Sequence, residues 1–559
     1  MLPDQLCLLF EALRHGCSVR LETVEPADEK EAATACDLHG MDVATIGRKQ
    51  LGRIVRGECH RSLLIEHCRG LGLYSTLQHA VWYVLSPIAA VRELLHDPRQ
   101  MSLFHVAIEG LDRRALTALG TRHRIVVVGH RESARTGKIT VDAYIEPRQE
   151  KWLRERGYVV TRLEQVDAPA RQRQKEGRHD AARRLARGHY GDVIWGGGYL
   201  TVDEIERAMV LGEQNHGGYF ERIALPHKTW EKRRCHAMRL GKGRGARRLG
   251  ICFISGVHGR EWGGPDILVY FAIRLLRAYR DRQPIRLGRK SFTHAQVRRI
   301  VETSNIVIFP QVNPDGRHFS MARHPMWRKN RRPAPRGRGH KSIGVDINRN
   351  FPILWRFERH FAPGTVASTR NPGDYETYVG PRAGSEPETR NVIWLLDQFP
   401  QIRYFIDLHS YGETLLHNWG SDENQSNDPD MCFRNKAYDG RRGLIHDDVY
   451  REYMPAADQK LALRLGDKLA EAIRQVRGRK YRVEQSVGLY PTAGSTDDYA
   501  YSRHFVDPSK AKIISYTMEW GRTRASTPFH PPYPEMRKVM REVTAGLLEF
   551  CLQAILHTR

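Results

Sequence analysis

The stretch FISGVHGREWGG, Phe253 to Gly264, decides how this chain is read. Apolar residues run into a glycine and a histidine, and Arg260 and Glu261 follow within three positions. A charged turn after a strand needs none of this crowding. A metal site does: in a sheet flanked by helices, ligands gather where strands end and loops begin. His258 and Glu261 stand at one such end, and His409, in FIDLHSYG (405–412), stands at another. Two nitrogens and one carboxylate leave a fourth position open, which is the composition of a catalytic zinc site. His-x-x-Glu by itself is a weak signal, so the rest of the chain has to carry the argument.

Around these positions helical and strand patterns alternate. Helix patterns PDILVYFAIRLLRAYRD (265–281), PETRNVIWLLDQF (387–399) and QKLALRLGDKLAEAIRQV (459–476) separate the apolar runs RLGICFIS (248–255), NIVIFPQVN (305–313), RYFIDLHSYG (403–412) and KIISYTMEWG (512–521). Strands of nearly continuous apolar character, spaced by helices, predict an α/β fold with a mixed, largely parallel sheet sandwiched between helices. Thr201 is placed to cap the helix that opens this unit.

Upstream, the order β-α-β-β-α-β over residues 103–166 predicts a small ferredoxin-like α+β domain. The segment 167–197, with ARQRQKEGRHDAARRLARG at its centre, is basic and almost free of large apolar residues, so it is expected to be a linker. Residues 1–100 are cysteine-rich and unassigned. Within them CHRSLLIEHC places Cys59, His60, His67 and Cys68 in a near-palindrome whose inner spacing fits no common zinc module. The expected division is therefore 1–100, 101–166, 167–197 and 198–559.

Composition bounds the rest. With 559 residues, two or three domains are expected. The net charge of +25 comes mostly from arginine spread along the chain, and no nucleic-acid module accompanies it, so no specific nucleic acid is expected as partner. Nine irregularly spaced cysteines argue for reduced thiols, not a disulfide framework. The apolar run AVWYVLSPIAAV (80–91) is too short to span a bilayer, so no membrane partner is expected. The N-terminus lacks the basic-then-apolar order of a signal peptide, so the expected location is cytoplasmic, or extracellular or periplasmic if the true N-terminus differs.

The wider set of motifs converges. NPDGRHF (313–319), MWRKNR (326–331), GVDINRNF (344–351), LYPTAGSTDDYAY (489–501) and YTMEWG (516–521) follow the first stretch in order. Over roughly residues 198–556 the chain resembles the zinc metallocarboxypeptidases of the digestive carboxypeptidase A and B type, and the sandwich and basic linker resemble that family's pro-segment. The resemblance implies one Zn2+ per chain held by His258, Glu261 and His409. It implies that Glu519 takes the proton from zinc-bound water and that Arg328 stabilises the oxyanion. Asn348 and Arg349 match the pair that clamps a terminal carboxylate, for which an arginine fork is suited. Tyr490 matches the mobile tyrosine that closes over the C-terminus, and Arg260 and Tyr411 match contacts to the substrate backbone. Asp497 matches the residue at the floor of the side-chain pocket, where an aspartate implies C-terminal Lys or Arg, or mixed preference. Peptide or protein C-termini are the implied substrates and a monomeric enzyme is expected; the pro-segment-like domain implies either an activating protease as partner or a permanently docked domain that only stabilises the enzyme.

Two stretches depart from the pattern, 421–456 and a lengthened segment around 353–375; the first could cover the cleft. A catalytically dead binding protein would lack Glu519 or a zinc ligand, and none is missing.

Overall fold

The structure is a computed structural model. It describes residues 104–111, 119, 125–132, 138–145, 147–165, 172–173 and 198–558, with breaks at 244–247, 335–343, 373, 375, 446 and 523–527. The region 1–100, most of LDRRALTALGTR (111–122), the stretch that supplies the first helix of the expected β-α-β-β-α-β order, and nearly all of the basic linker lie outside the described residues.

Four strands form the small upstream sheet: β1 (Phe104–Leu111), β2 (Val126–Glu132), β3 (Ile139–Ile145) and β4 (Val159–Gln165). They run in the order β2-β3-β1-β4, antiparallel throughout. This is the strand order that a β-α-β-β-α-β chain builds. Pro147 opens the helix Pro147–Glu155, where its missing N–H costs nothing. Val106, Ile108, Val141, Ile145 and Leu153 are buried between helix and sheet.

The larger sheet has eight strands. In chain order they are β5 (Phe220–Ala224), β6 (His236–Leu240), β7 (Leu249–Ser255), β10 (Ser304–Phe309), β11 (Ile402–Ser410), β12 (Thr414–His417), β15 (Arg482–Gln485) and β16 (Ile514–Trp520). Short pairs β8/β9 (Ile285–Leu287, Lys290–Phe292) and β13/β14 (Asn424–Gln425, Glu452–Tyr453) stand apart from it. The spatial order is β15-β12-β16-β11-β7-β10-β6-β5. Its centre, from β16 through β11 and β7 to β10, is parallel; β12 joins β16, β6 joins β10 and β5 joins β6 antiparallel, and the edge strand β15 pairs parallel with β12. The sheet is mixed, as the sequence predicts. Its parallel strands are buried on both faces, which is why they read as unbroken apolar runs.

One face carries helices Val202–His216, Gly263–Arg280, Ala456–Arg477 and Tyr533–His557 on a core that includes Phe253, Phe271, Leu408, Met518 and Phe550. The other covers Cys252, Ile254, Val307, Phe309 and Phe405 with helix Pro387–Gln398 and neighbouring segments. Each such side chain, fully buried, contributes about 1.5–3 kcal/mol. Thr201 caps its helix through a complete capping box with Glu204. The four described cysteines, at 235, 252, 432 and 551, carry no disulfide. Among the described residues no helix is long and apolar enough to cross a membrane.

The two departures from the family pattern hold each other. Phe361 and Arg442 form a parallel bridge. The Ala362 N–H donates to the Arg442 carbonyl (2.9 Å), and the Gly440 N–H donates to the His360 carbonyl (3.1 Å). Arg359 and His360 both reach the Asp439 carboxylate at 2.7 Å. The fully buried Arg442 guanidinium donates to the carbonyls of Cys432, Asn435 and Tyr438.

Candidate active site

Strand β7 ends at Ser255, and Gly256 turns the chain with φ +65°. The loop that follows carries His258, Arg260 and Glu261 before helix Gly263–Arg280 begins. Gly259 has to be a glycine, because a Cβ there would lie 2.5 Å from the Gly316 carbonyl oxygen. Its N–H donates to the Arg328 carbonyl at 2.8 Å, which ties this loop to the segment bearing Arg328. His409 lies near the end of β11, next to β7. Glu519 is its register partner on the adjacent parallel strand β16. Sheet pairing alone therefore brings together a histidine and a glutamate that come from separate motifs of the sequence.

The ligand atoms of His258, Glu261 and His409 all lie within 4.8 Å of one another, and all three residues are buried. The two Nδ1 atoms are 3.1 Å apart, with Glu261 Oε1 2.6 Å from one and Oε2 3.1 Å from the other. Two imidazole nitrogens and a carboxylate converging on one point fit zinc by donor type and number. Each ring turns its other nitrogen to a buried acid: His409 Nε2 lies 2.8 Å from Asp407 Oδ2, and His258 Nε2 lies 3.3 Å from Asp346 Oδ1. Such carboxylates fix ring orientation and raise ligand basicity. Burial alone would raise the Glu261 carboxyl, but His258 and His409 outweigh it and hold it well below the usual range. Asp346 is likewise held low, its burial outweighed by Arg328 and His258.

Arg328 is anchored through Nε and NH2 on Asp346 Oδ2 (3.1 and 2.9 Å), and its NH1 stays 3.4 Å from His258 Nδ1. Burial pushes the Glu519 carboxyl up to about 8, with Glu261 adding and His409 opposing. Among the described residues its shielded Oε2 has no hydrogen-bond partner. Asn348 accepts from the Thr496 N–H through Oδ1 (2.8 Å), which orders the short turn Ile347–Arg349. Arg349 is buried; its NH1 donates to the Asn348 carbonyl (2.8 Å) and its Nε to the Ala367 carbonyl (3.4 Å). Tyr490, 38% exposed, presents its ring 5.9 Å from that guanidinium. Asp497 is buried and accepts from Ser486 Oγ at 3.1 Å. Asp498 beside it is taken up by Asn418 and the Gly420 N–H. Arg260 and Tyr411 both meet the Phe529 ring, at 4.6 and 5.0 Å.

The structure thus brings His258, Glu261, His409, Arg328 and Glu519 to one place. The motif reading passed over Asp346, Asp407 and Glu376, whose part is described below.

Residues 209–546 match the zinc carboxypeptidase family, and the chain belongs to it. Its cofactor is zinc. Among curated relatives, mouse carboxypeptidase A4 is 26% identical over 317 residues, 53% of this chain and 62% of that protein. Human carboxypeptidase A6 is 25% identical over 356 residues, 63% of this chain and 68% of that protein. The chain spans about three-fifths of the length of most of the first relatives it matches. Of solved structures, carboxypeptidase A from Helicoverpa armigera superposes with a TM-score of 0.60 at 18% identity, over 82% of this chain and 98% of that one. Thrombin-activatable fibrinolysis inhibitor superposes at 0.58 and 17% identity, over 81% and 99%. At such identities the likeness establishes the fold, which is carboxypeptidase-like.

Proposed function

We propose that this chain is a metallocarboxypeptidase that hydrolyses the last peptide bond of peptides or proteins, with zinc held by His258, Glu261 and His409. The observation that carries this reading is the convergence of those three side chains beside an anchored Arg328 and a buried Glu519 Oε2 that has no hydrogen-bond partner among the described residues. Bound zinc supplies the Lewis acidity that makes water a nucleophile near neutral pH. Glu519 takes the proton of the attacking water and passes it to the leaving amine. Arg328, fixed by Asp346, offers NH1 to the negative oxygen that develops on the carbonyl. Asn348 and Arg349 bind the terminal carboxylate, and Tyr490 closes over it. Arg260 and Tyr411 contact the substrate backbone.

Asp497 sets the preference. A buried carboxylate that accepts from a serine hydroxyl favours a C-terminal Lys or Arg, because mismatching a desolvated charge is costly. Hydrolysis of blocked dipeptides ending in Lys, Arg, Phe or Glu, with and without a chelator, tests both points. Absence of chelator-sensitive hydrolysis of all four would overturn the reading.

A second reading concerns control. The Tyr144 ring on β3 packs on Phe529 at 6.1 Å, and Phe529 in turn meets Arg260 and Tyr411. We propose that residues 101–166 restrain access to the cleft until a trypsin-like protease cuts the arginine-rich segment 167–197. The four-part division of the chain, and action as a monomer, belong to the same proposal.

A further inference from the structure

Four charged groups meet where the residue that carries the scissile carbonyl would lie. Arg328 and Arg260 are the cations; Asp346 and Glu376 are the anions. Asp346 serves Arg328 and is fully buried. Glu376 gives both oxygens to Arg260, accepting from NH1 at 3.0 Å and NH2 at 2.8 Å, and its Oε2 is also 4.0 Å from Arg328 Nε. Of the four side chains Glu376 is the most open, 17% exposed against 5% for Arg260 and 10% for Arg328. The charges balance only while Glu376 is present.

Glu376 is built in. The Asp374 carboxylate accepts from the backbone N–H of Glu376 and of Thr377 (2.9 and 2.6 Å), and the buried Lys329 ammonium holds the Asp374 carbonyl. On the far side, the Phe529 ring lies 4.6 Å from the Arg260 guanidinium and keeps water from that face. The pair is therefore partly desolvated, bidentate and held by backbone, unlike a surface ion pair screened to nothing.

We infer that Glu376 is a specificity-determining residue of this cleft: by cancelling Arg260 it keeps the subsite for the penultimate residue from selecting acidic side chains. The inference rests on the carboxypeptidase reading above, which puts the scissile carbonyl at Arg328. Without the Glu376 charge, Arg260 is a buried cation with no counter-charge, and a substrate carboxylate nearby becomes its replacement.

The test uses the full-length, zinc-loaded chain and blocked dipeptides with a common C-terminal residue and Lys, Ala or Glu before it. In Glu376→Gln the Lys-to-Glu ratio of kcat/KM should move toward Glu by about fivefold or more, and less at high salt. Glu376→Asp should keep the wild-type ratio. The double variant Arg260→Gln/Glu376→Gln, with charge balance restored, should return toward it. A drop of equal size for all three peptides, with the ratio unmoved, would overturn the inference and make the ion pair purely structural. Equilibrium binding of the same peptides gives the ratio independently of turnover. A chain that hydrolyses nothing would therefore sink the proposed function, while an unmoved binding ratio would sink the role of Glu376.

Discussion

Arg328 and Asn330 are two residues apart, yet they enter two different buried clusters of acids. Arg328 joins Asp346 beside His258, Glu261 and His409. Asn330 donates to Glu386 Oε2 (2.8 Å) and Glu388 Oε2 (2.9 Å), both fully buried. Glu386 also accepts from Trp230 Nε1, Arg332 NH1 and Ser385 Oγ. Burial, with Glu386 beside it, pushes the Glu388 carboxyl up to about 8. Both clusters bury carboxylates; they differ in what the acids face. In the second, donors surround Glu386, and Glu388 keeps its proton near neutral pH, so the cluster braces the chain. In the first, two imidazole nitrogens and a carboxylate converge on one point, and each imidazole has its own acid behind it. A buried acid marks a site when its neighbours leave something for a ligand to complete.

Four experiments press on that difference. Chelating the zinc should abolish hydrolysis yet leave the far-UV circular dichroism almost unchanged, since apolar cores cover both faces of the sheet without the metal. Loss of secondary structure on chelation would make the first cluster a structural brace as well. Glu519→Gln should lower kcat by about 10²–10⁴-fold with a full complement of zinc by elemental analysis; near-wild-type turnover would remove Glu519 as the base. Asp497→Ala should shift kcat/KM from C-terminal Lys toward Phe by about tenfold or more, and a wild type already preferring Phe would refute the pocket assignment. The smallest effect belongs to the bracing cluster. A carboxyl raised from its ordinary 4.5 to about 8 in the folded state takes up a proton on folding between those pH values, so its burden on stability grows from pH 4.5 to 8. Glu388→Gln, relieved of that burden, should gain on the wild type in melting temperature between pH 5 and pH 8, by about 2–4 °C per kcal/mol. A difference that stays flat with pH would mean that Glu388 is ionised throughout.

A fifth measurement concerns the upstream sheet. Brief trypsin treatment should cut within 167–197, and hydrolysis of a small Lys-ended substrate should rise severalfold as full-length chain disappears. Activity already maximal before cleavage would leave the packing of Tyr144 on Phe529 without a regulatory role.

How legible all this is in the sequence differs by residue. His258, Glu261, His409, Arg328 and Glu519 announce themselves because each sits in a short motif at a strand end or turn. The long parallel strands and the helices between them are legible for the same reason, since double burial leaves an unbroken apolar run. The order of eight strands is not, because pairing between β16 and β11 depends on distant contacts. The short strands β12, β15 and β5, the last two at the edges of the sheet, lack a run long enough to read. Asp407 had a signal that went unused: two residues before His409 on one strand, it must share that histidine's face. Glu376 had none, because its meaning depends on where the loop carrying Arg260 comes to rest.

The bridge between the two added segments has a consequence for how the molecule breathes. Arg442 closes a ring of carbonyls in one segment, and its own backbone pairs with the other, which reaches Arg349 through Ala367. Opening either segment strips carbonyl partners from a guanidinium buried from solvent, His360 in one (3.5 Å) and Cys432 and Asn435 in the other, so the two should open together. In hydrogen exchange the amides of Ala362 and Gly440 should therefore lose protection together, at one rate, as a single cooperative unit. On the role proposed for Arg349, the grip on a terminal carboxylate would then loosen in discrete events rather than by gradual softening.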